Sequence, residues 1–316
     1  MDPEVSLLLH CAPWKGLREE QVQVELSEKY NRNRATEVEQ HIEEVWTERV
    51  TREPWLFNGA KFRLFSASLT PPPSCNAVCG AGDIYHGAQK EKERDEHTQL
   101  TLQLGLTCYK DFLGTNWSAG VGALMRRGVA EFGDAHAFLA QPLGVGGVLQ
   151  TMDGLVVMLR RSQKVAEAPG LLDIPGGHPE PKAVCLGVSE DSIQLEQLSE
   201  SAVIRELFSS VCTEIRDEVN IPLSSLSEPV LMGIALNHTS AGRPSAEFYI
   251  SCSLSSKEVK EFYWQGGPEA HESTDIVFLS QKEVMQLDVS APLWKELCPS
   301  AKGAVMLYRI VLWDNN

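Results

Sequence analysis

The stretch IRELFSSVCTEIRDEVNIP, residues 204–222, constrains the fold more than any other segment of this chain. At about 100° per residue, a helix here puts its apolar side chains on one arc and Glu214, Asp217 and Glu218 on the neighbouring arc. Asn220 tolerates the left-handed conformation of a helix end, and Pro222 cannot continue a helix. We therefore predict an amphipathic helix that ends at Val219, with acidic residues beside its buried face.

The acidic arc calls for an explanation, because like charges at this spacing destabilise an isolated helix by about 0.2–0.5 kcal/mol per pair. One interpretation is a solvated acidic face, and the other is a cation held between the carboxylates. Upstream, the apolar run of residues 155–159 is followed by DIPGG, which ends in Pro175, Gly176 and Gly177. A turn without side chains lets backbone groups approach a metal ion or a phosphate closely. This context favours the cation.

Several segments, in this order, resemble the motif of the Nudix hydrolase family. They are the basic pair at 160–161, APG, DIPGG and the acidic helix. Aligning the second half of that motif with residues 213–221 retains Glu214 and Glu218 and replaces the middle Glu by Asp217. A motif begun at Arg205-Glu206 would have no second pair of carboxylates.

This chain also departs from the family motif. Residues 178–212 separate Gly177 from the helical half, about 22 residues more than the family spacing, and we expect the insertion to be a surface loop. Thr213 and Asn220 replace the family's Arg and Gly. The family's first Glu falls on Arg205, with Glu206 one position later.

The resemblance extends over most of the chain through LGTNW, TSAGRPSAEFY, GGPEAHEST and CPSAKGA. Within the family it is similar to mammalian members that hydrolyse UDP-sugars and carry an extra amino-terminal domain. It implies Mg2+-dependent hydrolysis of UDP-glucose or UDP-galactose to UMP and hexose 1-phosphate. Two alternatives remain, a different nucleoside diphosphate conjugate such as ADP-ribose, or a nucleotide-sugar-binding protein that has lost catalysis.

The expected fold is an α/β/α sandwich of Nudix type with a mixed sheet, over residues 118–316. A smaller α+β domain is expected over residues 1–117. Within it, residues 36–52 have helical spacing, and residues 61–69 and 98–107 alternate like strands. Residues 71–97 are predicted to be a hairpin excursion between those strands. Asp153-Gly154 is a strong hairpin signal at the start of the larger domain.

The resemblance implies a metal site made by Glu214, Asp217, Glu218 and the carbonyl of Gly176. Carboxylates can hold divalent cations that neutralise the diphosphate and acidify water. For the general base, Glu272 on a late loop is the first candidate and Glu218 the second.

Candidate substrate contacts are Arg160, Arg161, Arg243 and Lys302, because cations pair well with phosphate oxygens. Tyr109 and Trp117 are candidates for stacking on uracil, although aromatic residues after a strand are often core. Cys75 and Cys79 with His86 lack a second ligand pair, so zinc is not favoured.

The composition excludes some classes. A net charge of -15 argues against nucleic-acid binding. We find no apolar run of the roughly 18 residues that a membrane helix needs. The eight scattered cysteines suit free thiols in a reducing compartment. We therefore expect a soluble cytoplasmic or nuclear protein.

Overall fold

The computed structural model describes residues 2–70 and 98–313. The predicted excursion at 71–97, with its cysteines and His86, lies outside the described residues. The strands are β1 Val5–His10, β2 Val22–Leu26, β3 Ala60–Leu69, β4 Leu100–Cys108, β5 Gly144–Gln150, β6 Leu155–Arg161, β7 Leu172–Asp173, β8 Gly176–Gly177, β9 Val230–Asn237, β10 Arg243–Ser251 and β11 Ser273–Ser280. The α-helices are α1 Thr36–Arg52, α2 Tyr109–Gly114, α3 Val121–Phe132, α4 Pro181–Val184, α5 Glu200–Val219, α6 Ser256–Gln265, α7 Gln281–Gln286 and α8 Pro299–Tyr308.

Local signals in the sequence locate several of these elements correctly. The helix predicted over 36–52 is α1. The strands predicted over 61–69 and 98–107, on either side of the excursion, are β3 and β4. The β5–β6 turn has Gly154 at φ 82°. Helix α5 ends at Val219, and Asn220 has φ 62° and ψ 29°, the left-handed conformation predicted for the helix end.

A large mixed sheet forms the centre of the molecule, with strands in the order β1-β9-β10-β5-β6-β11. β7 pairs with β6, and β8 pairs with β5. The β10–β5 pair is parallel, whereas the other pairs in this sheet are antiparallel. The predicted α/β class with a mixed sheet is therefore confirmed.

Alternating side chains place separate cores on the two faces of this sheet. In β6, Val157 and Leu159 join the core that contains α5, whereas Val156 and Met158 join the core that contains α8. The same alternation separates Leu149 from Val148 in β5. Since successive strand residues point to opposite faces, the sheet lies between α5 and α8 as the middle layer of a sandwich.

A second, three-stranded sheet in the order β2-β4-β3 packs against the other side of α5. Its apolar side chains, including Val24 and Leu102, share one continuous core with α5 and the large sheet. The predicted division at residue 118 stays a prediction. The pairing of β1 with β9 bears on it, because that pairing places residues 5–10 in the large sheet.

The inserted segment is more buried than a free surface loop. Residues 178–199 include α4 and two short 3-10 turns, and Cys185, Ile193, Leu195 and Leu198 are buried in the core beside α5. Only part of the segment, such as Leu186 at 87% exposure, fits the expectation of surface exposure. No helix among the described residues has the length and apolarity needed to span a membrane.

Candidate active site

The glycine turn at 175–177 is held between β5 and α5. Gly176 pairs with Gly146 and Gly177 with Val145, while the Gly147 N–H donates to the Pro175 carbonyl at 2.8 Å. A Cβ on Gly177 would lie 2.1 Å from Glu214 Oε1. Glycine is therefore required here for the carboxylate of Glu214 to lie directly over the backbone.

Glu214 and Glu218 lie four residues apart on α5, and both side chains face the glycine turn at 175–177. Glu218 is buried, and its Oε2 accepts the Gly176 N–H at 2.9 Å. Burial raises the pKa of Glu218 well above its usual value, partly offset by that N–H. Burial also raises the pKa of Glu214 to about 7, and the nearby carboxylate of Glu269 adds to the shift.

The loop before β11 brings two further carboxylates to the same place. The Glu269 N–H donates to the Asp217 carbonyl at 3.2 Å, and the Glu272 N–H donates to the Glu269 carbonyl at 2.9 Å. The Glu272 carbonyl accepts the Ser162 N–H at 2.7 Å. Burial raises the pKa of Glu269, and the charge of Glu272 contributes. The loop is thus fixed to both α5 and β6.

A cavity of about 350 Å³ opens over the turn. Carboxylates line one part of its wall, namely Glu214, Glu269 and Glu272, beside Gly176 and Gly177. Neutral and small residues line another part, namely Gly144, Ala235, Asn237, Ser245 and Ser300. Its cations are Lys61, Arg161 and Arg243.

A second cavity of about 480 Å³ adjoins the first, and the two share seven lining residues. Four aromatic side chains line it, namely Phe57, Tyr109, Phe112 and Trp117. Tyr109 and Phe112 stack with their ring centroids 6.4 Å apart. One cleft therefore combines a flat-faced aromatic part with an acidic, glycine-lined part.

The structure brings most of the predicted site residues together. Glu214, Gly176, Glu272, Arg161 and Arg243 line the first cavity, and Glu218 lies directly behind Gly176. Both aromatic candidates, Tyr109 and Trp117, line the second cavity.

Besides Glu218, three predicted site residues do not line either cavity. The Asp217 carboxylate forms two 2.7 Å hydrogen bonds with Arg216. Arg160 binds Glu296 at 2.9 Å and the Gly170 carbonyl. Lys302 binds Glu4 at 2.5 Å and Asp2 at 3.0 Å. Each side chain is engaged by a neighbouring protein group, so its proposed contact with metal or substrate has no support from its position.

Several lining residues were missed by sequence reasoning, among them Lys61, Glu167, His178, Glu180 and Glu269. Glu269 precedes Glu272 by three residues in the same loop, and this paired spacing was an available signal. Glu206, outside the aligned motif, accepts the Glu180 N–H at 3.0 Å and so joins the inserted segment to α5.

The donor chemistry of this site fits a divalent cation. Several carboxylates meet here, and their burial and mutual repulsion raise the pKa of Glu214 and Glu269. A bound cation would offset this repulsion. Within residues 2–70 and 98–313, however, no three His, Cys, Asp or Glu side chains are already arranged as a ligand set. Glu214, Glu218 and the Gly176 carbonyl stay the predicted groups to hold the ion.

The fold and the site define an α/β protein with a cleft suited to metal-dependent phosphate chemistry. The chain is 50% identical over 311 residues to the human protein named uridine diphosphate glucose pyrophosphatase NUDT22, covering 98% of this chain and 94% of the human one. It is 32% identical over 302 residues to Nudix hydrolase 9 of Arabidopsis thaliana, covering 92% and 89%. The chain belongs to the Nudix hydrolase family, as predicted.

Comparison with solved structures gives weaker likenesses. The MutT protein of Methanosarcina mazei Go1 is 15% identical, with a TM-score of 0.30, and the match covers 55% of this chain and 95% of that one. The Nudix hydrolase RenU of M. smegmatis is 13% identical, with a TM-score of 0.30, over 55% and 86%. No family model matches the chain.

Proposed function

We propose that this protein hydrolyses the diphosphate of UDP-glucose and related UDP-hexoses, giving UMP and hexose 1-phosphate with Mg2+. The observation that carries the proposal is the continuity of the aromatic cavity with the acidic, glycine-lined cavity. A nucleotide sugar needs a flat apolar surface for its base and a cation-binding surface for its diphosphate. The name of the human relative supports the choice of uridine and glucose.

The chain's own residues divide the work along the cleft. Tyr109 and Phe57 offer ring faces to the base, and Arg161, half-buried beside Asp173, lies between the two cavities. A divalent cation held by Glu214, Glu218 and the Gly176 carbonyl would neutralise the diphosphate oxygens and acidify the attacking water. Glu272 lines both cavities and would accept the proton of the attacking water.

The direct test is turnover of UDP-glucose with Mg2+, measured as phosphate released from the product by an added phosphatase. ADP-ribose and a sample with EDTA are run in parallel. We expect metal-dependent turnover that favours UDP-glucose. Turnover of ADP-ribose alone would replace the substrate while retaining the reaction, and binding of UDP-glucose without turnover would identify a binding protein.

The variants Glu214→Gln and Glu218→Gln test the metal site. Each removes one carboxylate charge at nearly constant shape, so kcat should fall at least about 100-fold. Glu200→Gln is the matched control, because Glu200 is an exposed acid in the first turn of the same helix. Calorimetric titration with Mg2+ gives a second readout. Unchanged turnover and Mg2+ binding in both site variants would mean that the wrong carboxylates were assigned.

A further inference from the structure

Each cation in the first cavity has a carboxylate partner in the cavity wall. Each of these cation–carboxylate pairs therefore adds no net charge to the cleft. The pairs are Lys61 with Glu180 at 2.8 Å, Arg161 with Asp173 at 3.0 Å, and Arg243 with Glu167 at 2.8 Å. Both members of the Lys61–Glu180 and Arg243–Glu167 pairs line both cavities, whereas Asp173 lines only the first.

The Arg243–Glu167 pair is fixed from several sides. The Arg243 Nη2 donates to both oxygens of Glu167, at 2.8 and 2.9 Å. Glu167 also accepts from Asn237 Nδ2 at 3.1 Å and from Ser240 Oγ at 3.0 Å. The Arg243 side chain is 13% exposed. A pair with this many restraints has a defined position, unlike a mobile surface ion pair.

The Arg243 guanidinium retains an unused donor. Its Nε is buried and has no hydrogen-bond partner among the described residues. A buried, unsatisfied donor is unfavourable, and such a group is often satisfied by a water, an ion or a ligand. The backbone is also strained on both sides of the pair, since Ala168 has φ 47° and Ala241 has φ 56°.

The wall next to this pair is neutral. Asn237, Ser245 and Ser300 contribute amide and hydroxyl groups, and the pair itself contributes one positive and one negative charge. With the base in the aromatic cavity and the diphosphate over the glycine turn, this wall is the surface left for the sugar. Hydroxyl groups of a hexose match such neutral donors and acceptors, whereas a carboxylate on the sugar would find no uncompensated cation.

We propose that the Arg243–Glu167 pair selects nucleotide sugars with an uncharged hexose over those with a hexuronate. This inference rests on the proposed function for the identity of the ligand class. Glu167 is the residue that matters most, because it cancels a positive charge that would otherwise attract an anionic sugar.

A charge series of four proteins tests this proposal. Wild type has a neutral pair, Glu167→Gln leaves a net positive charge, Arg243→Gln leaves a net negative charge, and the double variant is neutral again. UDP-glucose and UDP-glucuronate are the matched probes, since they differ at C6 by one carboxylate. Dissociation constants are measured calorimetrically in EDTA, and kcat/KM is measured separately with Mg2+.

The preference for UDP-glucuronate over UDP-glucose should follow the charge of the pair. We expect it to rise about tenfold in Glu167→Gln, to fall about tenfold in Arg243→Gln, and to return to the wild-type value in the double variant. A purely structural pair, or contact of Arg243 with the diphosphate, would weaken both ligands alike and leave the ratio unchanged. An unchanged ratio across the series would overturn the proposal.

Folding and activity are separated from selectivity by the same measurements. If Glu167→Gln does not fold because Arg243 is left unpaired, Arg243→Gln and the double variant still test the ratio. Ratios that follow charge without turnover in any protein would refute the hydrolase but retain the selectivity. Turnover of UDP-glucose with ratios independent of charge would retain the hydrolase and refute the selectivity.

Discussion

Glu247 is a titratable residue that is fully buried in the described core. It lies in β10 with no exposed surface, opposite Gly146 and Gly233. A Cβ on Gly146 would lie 2.4 Å from its Oε2. Burial raises the pKa of Glu247 to about 8, and the charge of Asp173 adds to the shift. The protein therefore holds Glu247 as a neutral acid at neutral pH.

This burial predicts a pH-dependent stability. The unfolded glutamate has a pKa of about 4.3, so as pH rises towards 8 the unfolded state loses a proton that the folded state keeps. The free energy of unfolding should therefore fall through this range, by up to about 1.4 kcal/mol per unit of pKa shift. Glu247→Gln should make this fall shallower in urea titrations between pH 5 and 8.5. Glu200→Gln is the exposed control, and equal pH slopes for Glu247→Gln and wild type would contradict the assignment.

The limits of sequence reasoning at this scale follow from which contacts are local. Glu214 and Glu218 were identifiable because both belong to one helix, where spacing alone gives their relative positions. Glu167 and Lys61 reach the same cleft from a loop after β6 and from β3, and no periodicity relates those segments. Asp217 had the right spacing, but its side chain pairs with Arg216, a choice of rotamer that spacing does not determine.

At the scale of elements, Lys302 joins α8 to the segment that leads into β1. Its side chain is 6% exposed and pairs with Asp2, whose side chain is 8% exposed and also accepts from Trp294 Nε1 at 2.6 Å. Lys302 occupies a buried face of α8. This geometry accounts for Lys302 as a structural residue, since removing one partner of a buried ion pair leaves the other charge uncompensated.

We predict that Lys302→Met lowers the free energy of unfolding by about 3 kcal/mol. KM for UDP-glucose should stay within a factor of two of wild type, measured on protein shown to be folded. The control is Lys295→Met, which removes an exposed lysine four residues before α8. A raised KM with unchanged stability would instead restore Lys302 to the substrate contacts that its sequence context suggested.

The helix ends and strands were predictable because their signals lie within a few residues. Asn220 and Pro222 locate the end of α5, and Gly154 locates the β5–β6 turn. The inserted segment was not predictable in the same way. Its buried residues, such as Leu195, are apolar, but the sequence does not show what they pack against, and only the neighbours beside α5 explain their burial.

At the scale of the whole molecule, the two sheets and α5 share a core. Arg63, 2% exposed, donates to the carbonyls of Tyr30, His136 and Leu139, which ties β3 to the segment leading into β5. The Leu143 N–H continues this link by donating to the Phe62 carbonyl at 2.8 Å. The amino-terminal part is therefore connected to the large sheet by both apolar and polar contacts.

We predict that residues 118–316 expressed alone do not fold cooperatively, because the fragment lacks β1 and exposes the face of α5 that packs on β2. Calorimetry should show no sharp unfolding transition. Supplying residues 1–117 as a separate chain should restore the transition, which controls for nonspecific damage. A sharp transition in the fragment alone would establish an independent domain beginning near residue 118.

The pairing of β1 with β9 also affects the order in which the protein can be completed during synthesis. Val5 pairs with Asn237, so this edge strand is made long before its partner. At about 5–20 residues per second, β1 waits on the order of tens of seconds at the ribosome before β9 emerges. During that interval its backbone donors and acceptors have no native partner, and chaperones that bind extended apolar segments have time to engage it.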